Sequence, residues 1–288
     1  MKNKVLTGLL LVLIGGWGSL SAQSAGSNYS RQVNTLIGTK GVGLTSGYLY
    51  PGATYPYGMV QFTPSYFSKR SGFVINQLSG GGCEHMGNFP TFPVKGKLKM
   101  SPDNILNYRI NISEEKGHAG YYEAMVQEDI KAKLTVTERT GMASYEYPAD
   151  QQYGTVIIGG GISATPIEQA AIVITAPNKC EGYAEGGNFC GLRTPYKVYF
   201  VAEFDTDALE SGTWKRNELK PNTTFAEGEY SGVYFTFDVN KKKNIQYKIG
   251  VSYVSVENAR ENLKAENTGW DFLQIQNCLL YTSDAADE

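Results

Sequence analysis

Apolar and polar side chains alternate with a period of two through much of the chain. Ile130, Ala132, Leu134 and Val136 share one face of such a segment, with Lys131, Lys133, Thr135 and Thr137 on the other. Phe235, Phe237 and Val239 alternate with Tyr234, Thr236 and Asp238, and Ile245, Tyr247, Ile249, Val251 and Tyr253 with Gln246, Lys248 and Ser252. Successive strand side chains point to opposite faces, so these stretches predict strands with one buried and one wet face. Tyr196 to Phe204 is more continuously apolar and predicts a strand covered on both faces. Pro102-Asp-Asn104, Pro148-Ala-Asp150 and Pro221-Asn222 are turn signals. Asn240-Lys-Lys-Lys-Asn244 joins two strong strand patterns and predicts a hairpin with a solvated lysine tip. No internal repeat or low-complexity linker interrupts Ser30 to Phe272. One all-β domain over 30–254, a β-sandwich or supersandwich, is the economical architecture.

The period changes at Ser255. Val256, Ala259 and Leu263, with Glu and Arg between them, have helical spacing, and Ser255 suits an N-cap. Gly269 is placed to end the helix before Trp270-Asp-Phe272, so 255–277 reads as a linker helix leading to a further domain. The N-terminus has a different character. Lys2 and Lys4 precede the apolar run Val5 to Ile14, and the small residues Ser19, Ser21 and Ala22 follow. This predicts a signal peptide over 1–22 and an exported protein, periplasmic or extracellular. A membrane anchor is the alternative, but the run is short for a bilayer. The last eleven residues, Cys278 to Glu288, continue no pattern. They resemble the translation of a transposon-type sequencing adapter, which predicts an artefactual tail and a native protein continuing beyond Asn277.

Composition narrows the function. The 288 residues carry 26 Lys and Arg against 28 Asp and Glu, a formal net charge of -2. Nucleic-acid binding needs a basic face to displace counterions, so that class is excluded. With 41% hydrophobic and 19% charged residues the chain is not disordered. Only His85 and His118 are present, which rules out a multi-histidine metal site, and no HExxH or paired CxxC motif occurs. Gly80-Gly-Gly82 lacks a phosphate-loop lysine, and Gly159-Gly-Gly161 lacks the dinucleotide spacing. In an exported protein Cys180 and Cys190 could close a short disulfide loop, leaving Cys83 free; two ordinary small residues is the alternative.

Two glycine-rich aromatic loops stand out, Gly43 to Pro64 and Gly72 to Pro90. Glycine lets a backbone approach a ligand closely, while rings offer stacking surfaces. The second loop concentrates Asn76, Gln77, Glu84, His85 and Asn88. Amide, carboxylate and imidazole groups suit sugar hydroxyls, which both donate and accept hydrogen bonds. The competing reading is an irregular loop whose polar groups satisfy their own backbone.

Val33-Asn-Thr-Leu-Ile-Gly-Thr39, Tyr50-Pro-Gly-Ala-Thr-Tyr-Pro-Tyr-Gly-Met-Val-Gln-Phe-Thr-Pro64 and Leu78-Ser-Gly-Gly-Gly-Cys83 resemble the N-terminal domain of glycoside hydrolase family 92. Gly120-Tyr-Tyr122, Ile130 to Gly141, Val254-Ser-Val-Glu-Asn-Ala-Arg260 and Gly269-Trp-Asp271 extend the resemblance to about Val33 to Phe272. The resemblance implies an exported, calcium-dependent α-mannosidase of a kind common in Bacteroidetes. Its N-terminal domain would be a galactose-mutarotase-like β-supersandwich, followed by an (α/α)6 barrel. That barrel carries the general acid, the general-base aspartates and most of the calcium ligands, and hydrolysis inverts configuration. The chain stops short of those positions, so no catalytic residue and no metal ligand carries over. Two departures, Val74-Ile-Asn-Gln77 in place of Ser-His-Thr-His and Cys83-Glu-His-Met-Gly-Asn-Phe89 in place of Cys-x-Asp-Tyr-Gly-Asp, leave the linkage preference open.

The leading expectation is therefore the N-terminal half of an exported exo-α-mannosidase, inactive alone. Its partners are mannose-containing glycans and its own catalytic domain. Gln77, Glu84, His85 and Asn88 would line the interdomain pocket. The alternatives are a stand-alone glycan-binding module and a mutarotase-like sugar epimerase, the latter needing His with Glu in the cleft.

Overall fold

A computed structural model describes residues 33–39, 49–65, 72–83, 85–103 and 111–277. The expected signal segment, the adapter-like tail and Glu84 lie outside the described residues. The chain forms the expected all-β sandwich of two antiparallel sheets. In spatial order the eight-stranded sheet contains β1 (Ala53–Thr54), β2 (Gln61–Pro64), β3 (Phe73–Val74), β4 (Thr91–Lys95), β9 (Tyr153–Gly159), β16 (Ser231–Asp238), β13 (Glu210–Lys215) and β14 (Glu218–Pro221). The nine-stranded sheet runs β15 (Phe225–Glu227), β10 (Ile167–Ala176), β11 (Lys179–Phe189), β12 (Leu192–Phe204), β17 (Asn244–Ser252), β8 (Thr140–Glu146), β7 (Ile130–Val136), β6 (Tyr121–Val126) and β5 (Ile112–His118).

Aromatic side chains fill the space between the sheets. Phe204 of β12 packs against Phe235 and Phe237 of β16 at ring-centroid distances of 4.9 and 5.0 Å, and against Tyr247 of β17 at 5.3 Å. Phe73 of β3 stacks on Tyr145 of β8 at 6.2 Å and meets Tyr122 of β6 edge-on at 6.3 Å. Burying such rings removes large apolar areas from water, and tilted contacts add specificity. Tyr145 and Thr91 share a hydroxyl hydrogen bond of 2.8 Å and the Tyr147 hydroxyl donates to the Thr155 carbonyl, whereas the Tyr247 hydroxyl has no partner among the described residues.

Ile130, Ala132, Leu134 and Val136 are fully buried, as their alternation predicts. Other expectations need correction. Asn240–Asn244 is not a hairpin: β16 pairs with β9 and β13, and β17 with β8 and β12, so the loop carries the chain from one sheet to the other. Tyr234 and Thr236 are buried, and the Thr236 hydroxyl bonds to that of Thr155 at 2.8 Å. Tyr253 lies beyond the end of β17 and is part exposed.

The outer face of β17 is covered as well. Helix α1 (Val256–Glu266) is capped by Ser255, whose side chain accepts from the Asn258 N–H, and it packs on β17 and β12. Ala259 and Leu263 bury against Val201. The Asn262 amide donates to the Val251 carbonyl at 2.8 Å, and Lys248 donates to the Asn267 carbonyl at 3.0 Å while lying under the Trp270 ring. Burial lowers the Lys248 pKa from its ordinary value. The helix ends at Glu266, before Gly269, because Asn267 caps it by donating its N–H to the Leu263 carbonyl. Residues 272–277 are helical again. At the end of α1, Glu266 accepts from the Thr137 hydroxyl and the Arg139 N–H and pairs with the Arg139 guanidinium, fixing the β7–β8 turn.

Two expected outcomes follow from this packing. A Cβ on Gly250 would lie 2.5 Å from the Ala259 carbonyl oxygen and 2.8 Å from the Leu263 Cβ. Gly250→Val should therefore lift α1 off the sheet, seen as faster amide exchange across 256–266 with β7 and β8 still protected; unchanged helix exchange would contradict the close approach. Burial raises the phenols of Tyr145, Tyr147 and Tyr247 above the ordinary value of about 10. The stability this contributes is complete below that value and is lost as pH rises toward the folded-state values. In alkaline titration these phenols should ionise only as the far-ultraviolet dichroism collapses. Ionisation of all 20 tyrosines with the fold intact would refute it.

Candidate functional site

The polar residues of the 72–90 loop converge on one side chain, Asn76. Ile75 enters the loop by accepting from the Gln61 N–H through its carbonyl and by donating its own N–H to the Asn88 carbonyl. Asn76 then turns inward. Its Oδ1 accepts from the backbone N–H groups of Gly87 and Asn88 at 3.1 and 2.8 Å. Its Nδ2 donates to Asn88 Oδ1 at 3.1 Å and to the Tyr253 hydroxyl at 3.4 Å. The Tyr196 hydroxyl also donates to Asn88 Oδ1, at 2.9 Å. The Asn76 carboxamide thus fastens both ends of the loop to each other and to Tyr253, just past β17, while Asn88 ties the loop to Tyr196 in β12.

The loop backbone is shaped by residues in the left-handed region. Met86, Gly87 and Phe89 have φ of 58°, 79° and 52°. Gly87 takes this geometry at little cost, whereas Met86 and Phe89 are held there by their surroundings. Phe89 is buried against Phe200 with centroids 4.2 Å apart, and the Met86 carbonyl accepts from the Ala164 N–H.

Of the sequence-derived candidates, Gln77, His85 and Asn88 come together here; Glu84 lies outside the described residues. Asn88 is fully buried with its Oδ1 engaged and its Nδ2 unpartnered. Gln77 is 1% exposed, and neither oxygen nor nitrogen of its carboxamide has a partner among the described residues. It packs against Gly87, where an added Cβ would lie 3.4 Å from the Gln77 amide carbon. His85 faces the edges of Phe189 and Tyr196 at 5.1 and 5.7 Å, with Nδ1 3.3 Å from the Asn188 carbonyl. Burial pushes the Tyr196 phenol up to about 12, and burial likewise raises Tyr253. Tyr196, Tyr253 and Phe189 escape sequence reasoning because they lie about a hundred or more positions from the loop and read simply as strand residues.

The cysteine pairing expected from sequence is wrong. Cys83 is bonded to Cys190, with Cα atoms 5.4 Å apart, and Cys180 is a free, buried thiol. Cys180 lies near the start of the eleven-residue β11 and Cys190 just past its end. An extended strand advances about 3.3 Å per residue, so ten residues separate the two by roughly 33 Å, far beyond the reach of a disulfide.

A concavity of about 380 Å³ is lined by Thr35, Tyr50, Ser79 and His118, with Ile37 and Leu49 exposed on its rim. His118 stacks on Tyr121 at 4.9 Å and its Nε2 lies 3.3 Å from the Gln276 amide. Among the described residues no group of three or more His, Cys, Asp or Glu side chains could hold a metal ion. The described site offers hydrogen-bonding amides, phenols and an imidazole beside aromatic rings, suited to holding hydroxyl groups.

The model for the glycosyl hydrolase family 92 N-terminal domain matches residues 32–252. An uncharacterized secreted glycosidase of Arthroderma benhamiae is 25% identical, the match covering 85% of this chain and 36% of that protein. Among solved structures, the family GH92 α-mannosidase BT3965 of Bacteroides thetaiotaomicron is 23% identical with a TM-score of 0.77, over 90% of this chain and 38% of that one. The family GH92 inverting mannosidase BT2199 of the same organism is 21% identical with a TM-score of 0.70, over 88% and 35%. These structures share the fold. The chain thus spans little more than a third of the length of these relatives. The match takes in all the strands from β1 to β17, and the chain belongs to glycosyl hydrolase family 92, as the N-terminal domain of that family.

Proposed function

We propose that this chain is the glycan-contacting N-terminal domain of an exported exo-α-mannosidase, and that it is inactive without a C-terminal catalytic domain. The observation that carries the reading is the bond between Asn76 and Tyr253. It sets the amide-lined loop at the root of α1, two residues before the Ser255 cap. Leu78, Tyr253 and Val254 are exposed there, and Tyr57 and Met59 are exposed in the loop tied to the β7–β8 turn. A second domain following the helix would cover these apolar groups and close a pocket over the loop. Export is consistent with the secreted relative, and no helix among the described residues is long and apolar enough to cross a membrane.

In this reading the missing domain supplies the two carboxyl groups of an inverting hydrolysis, one protonating the leaving oxygen and the other activating water. Calcium, held mainly by that domain, would polarise and orient sugar hydroxyls. This chain's own groups bind and orient. The free carboxamide of Gln77 is the strongest ligand contact, because a buried amide with nothing to bond costs about 1–3 kcal/mol until a partner arrives.

The gene recovered past Asn277 should encode an all-helical domain, and the joined protein should release mannose from α-mannosides and lose that activity to a calcium chelator. The 288-residue chain alone should release none. Calcium-dependent turnover by the isolated chain would overturn the division of labour; tight mannoside binding without turnover in the joined protein would favour a binding module instead.

Paired substitutions separate scaffold from contact. Gln77→Met keeps the shape and removes an unsatisfied amide, so the free domain should be as stable as the parent or slightly more so, while mannoside affinity of the joined enzyme falls. Asn76→Ala leaves several buried groups unpaired and should cost about 2–4 kcal/mol in chemical denaturation. If Gln77→Met were instead the more destabilising change, the amide would be structural.

A further inference from the structure

The Cys83–Cys190 bond joins the glycine-rich loop to the tip of the β11–β12 hairpin, across 107 positions of sequence. Little else holds the loop at this point. Gly80 and Gly82 adopt left-handed backbone at φ of 70° and 74°, and no side-chain atom would touch a Cβ on Gly82. Three consecutive glycines lose more conformational freedom on ordering than any other residues would. The hairpin tip is also strained, with Cys190 at φ 52° and Gly191 at 84°. The non-covalent ties across the gap are those of His85, to the Asn188 carbonyl and to the Phe189 and Tyr196 rings. All three partners lie on the hairpin that carries Cys190. The backbone N–H groups of Gly87 and Asn88, by contrast, donate to Asn76, and Asn88 meets the hairpin only further along β12, at the Tyr196 hydroxyl.

We propose that the Cys83–Cys190 disulfide is a reducible latch that seats His85 against Phe189 and Tyr196, and that opening it frees 78–83, His85 and 188–192 while the Asn76 clasp keeps 87–90 in place. Cys190 is exposed and Cys83 half-buried, so a dithiol reductant can reach the bond. A thiolate of the reductant attacks the Cys190 Sγ; the sulfur–sulfur bond breaks and Cys83 leaves as a thiolate that takes a proton from water. The second thiol of the reductant displaces Cys190, which also ends protonated, and the reductant is released as a cyclic disulfide. Two electrons and two protons pass to the protein. Cys180 does not exchange into the pair, because it is buried at the far end of β11.

Loss of global stability alone would not identify a latch, since any disulfide closing so long a loop constrains the unfolded chain. The test is local. The 288-residue chain contains two histidines, so the imidazole signals of His85 and His118 can be followed together by NMR as dithiothreitol is added. The His85 ring protons, shifted by the ring currents of Phe189 and Tyr196, should move toward free-histidine positions while His118 stays. Amide exchange should accelerate at least tenfold in 78–83 and 188–192 and remain unchanged in 87–95. Reoxidation should reverse both changes. The double variant Cys83→Ser, Cys190→Ser should show the open state without reductant. An unmoved His85, a His118 that moves with it, exchange that rises uniformly, or thiols that stay unlabelled in the reduced native protein would each overturn the proposal. These readouts need no sugar, so they stand or fall apart from the mannosidase reading. On that reading, mannoside affinity of the joined enzyme would also fall on reduction.

Discussion

Everything in this domain depends on an aromatic layer gripped by two sheets at once. The rings of β2, β3 and β16 meet those of β6, β8, β12 and β17, so neither sheet has a buried face without the other. The chain passes repeatedly from one layer to the other. From β8 to β9 it crosses at Tyr147, whose ring would lie only 2.5 Å from a Cβ on Gly154. From β16 to β17 it crosses through the lysine loop, where Lys242 pairs with Asp205 at 2.7 Å. Dense packing of this kind cannot yield continuously, so the loops at the edges of the sandwich inherit a rigid frame.

Rigidity reaches the candidate site through a short series of contacts. Helix α1 seals the outer face of β17 because Gly250 lets its backbone come close. Its terminal Glu266 holds the β7–β8 turn, and that turn receives the Met59 N–H through the Glu138 carbonyl at 2.7 Å. At the other end of α1, Tyr253 bonds Asn76. The helix that leaves the domain and the loop that carries the amides are thus fixed to the same strand end. A domain attached through the helix would be registered against the loop by the same bonds that order the loop.

The period-two pattern made the strands legible, since Ile130 to Val136 needs only its own neighbours to show which face is buried. Ser255 and the spacing of Ala259 and Leu263 were legible for the same reason. What failed was whatever depends on distant chain. The lysine loop looks like a hairpin because sheet membership is invisible between adjacent strands. The polar face of β17 looks wet because nothing in Gln246, Lys248 and Ser252 announces a helix lying on top of it. Cys180 and Cys190 look paired because ten residues seem close, whereas an extended strand makes them far. At the site, the crowding of Asn76, Gln77, His85 and Asn88 into one loop was a local signal. Tyr196 and Tyr253, which complete the network, belong to strands 108 and 177 positions away from their partners.

The chemistry of the described site fits contact better than catalysis. Its hydrogen-bonding groups, the imidazole of His85 aside, are carboxamides and phenols, and burial keeps the phenols protonated well into alkaline pH. Such groups hold hydroxyls with a pattern of donors and acceptors that does not change as carboxyl groups titrate. An inverting hydrolysis needs two carboxyl groups with opposed protonation, set several ångströms apart across the scissile bond. On the proposed reading, a sandwich whose site is built from neutral amides would supply geometry to that reaction and leave the charged groups to another domain. On the same reading, the pH dependence of a joined enzyme would belong to its other domain, and Gln77, Asn88 and their loop would help shape the sugar it accepts.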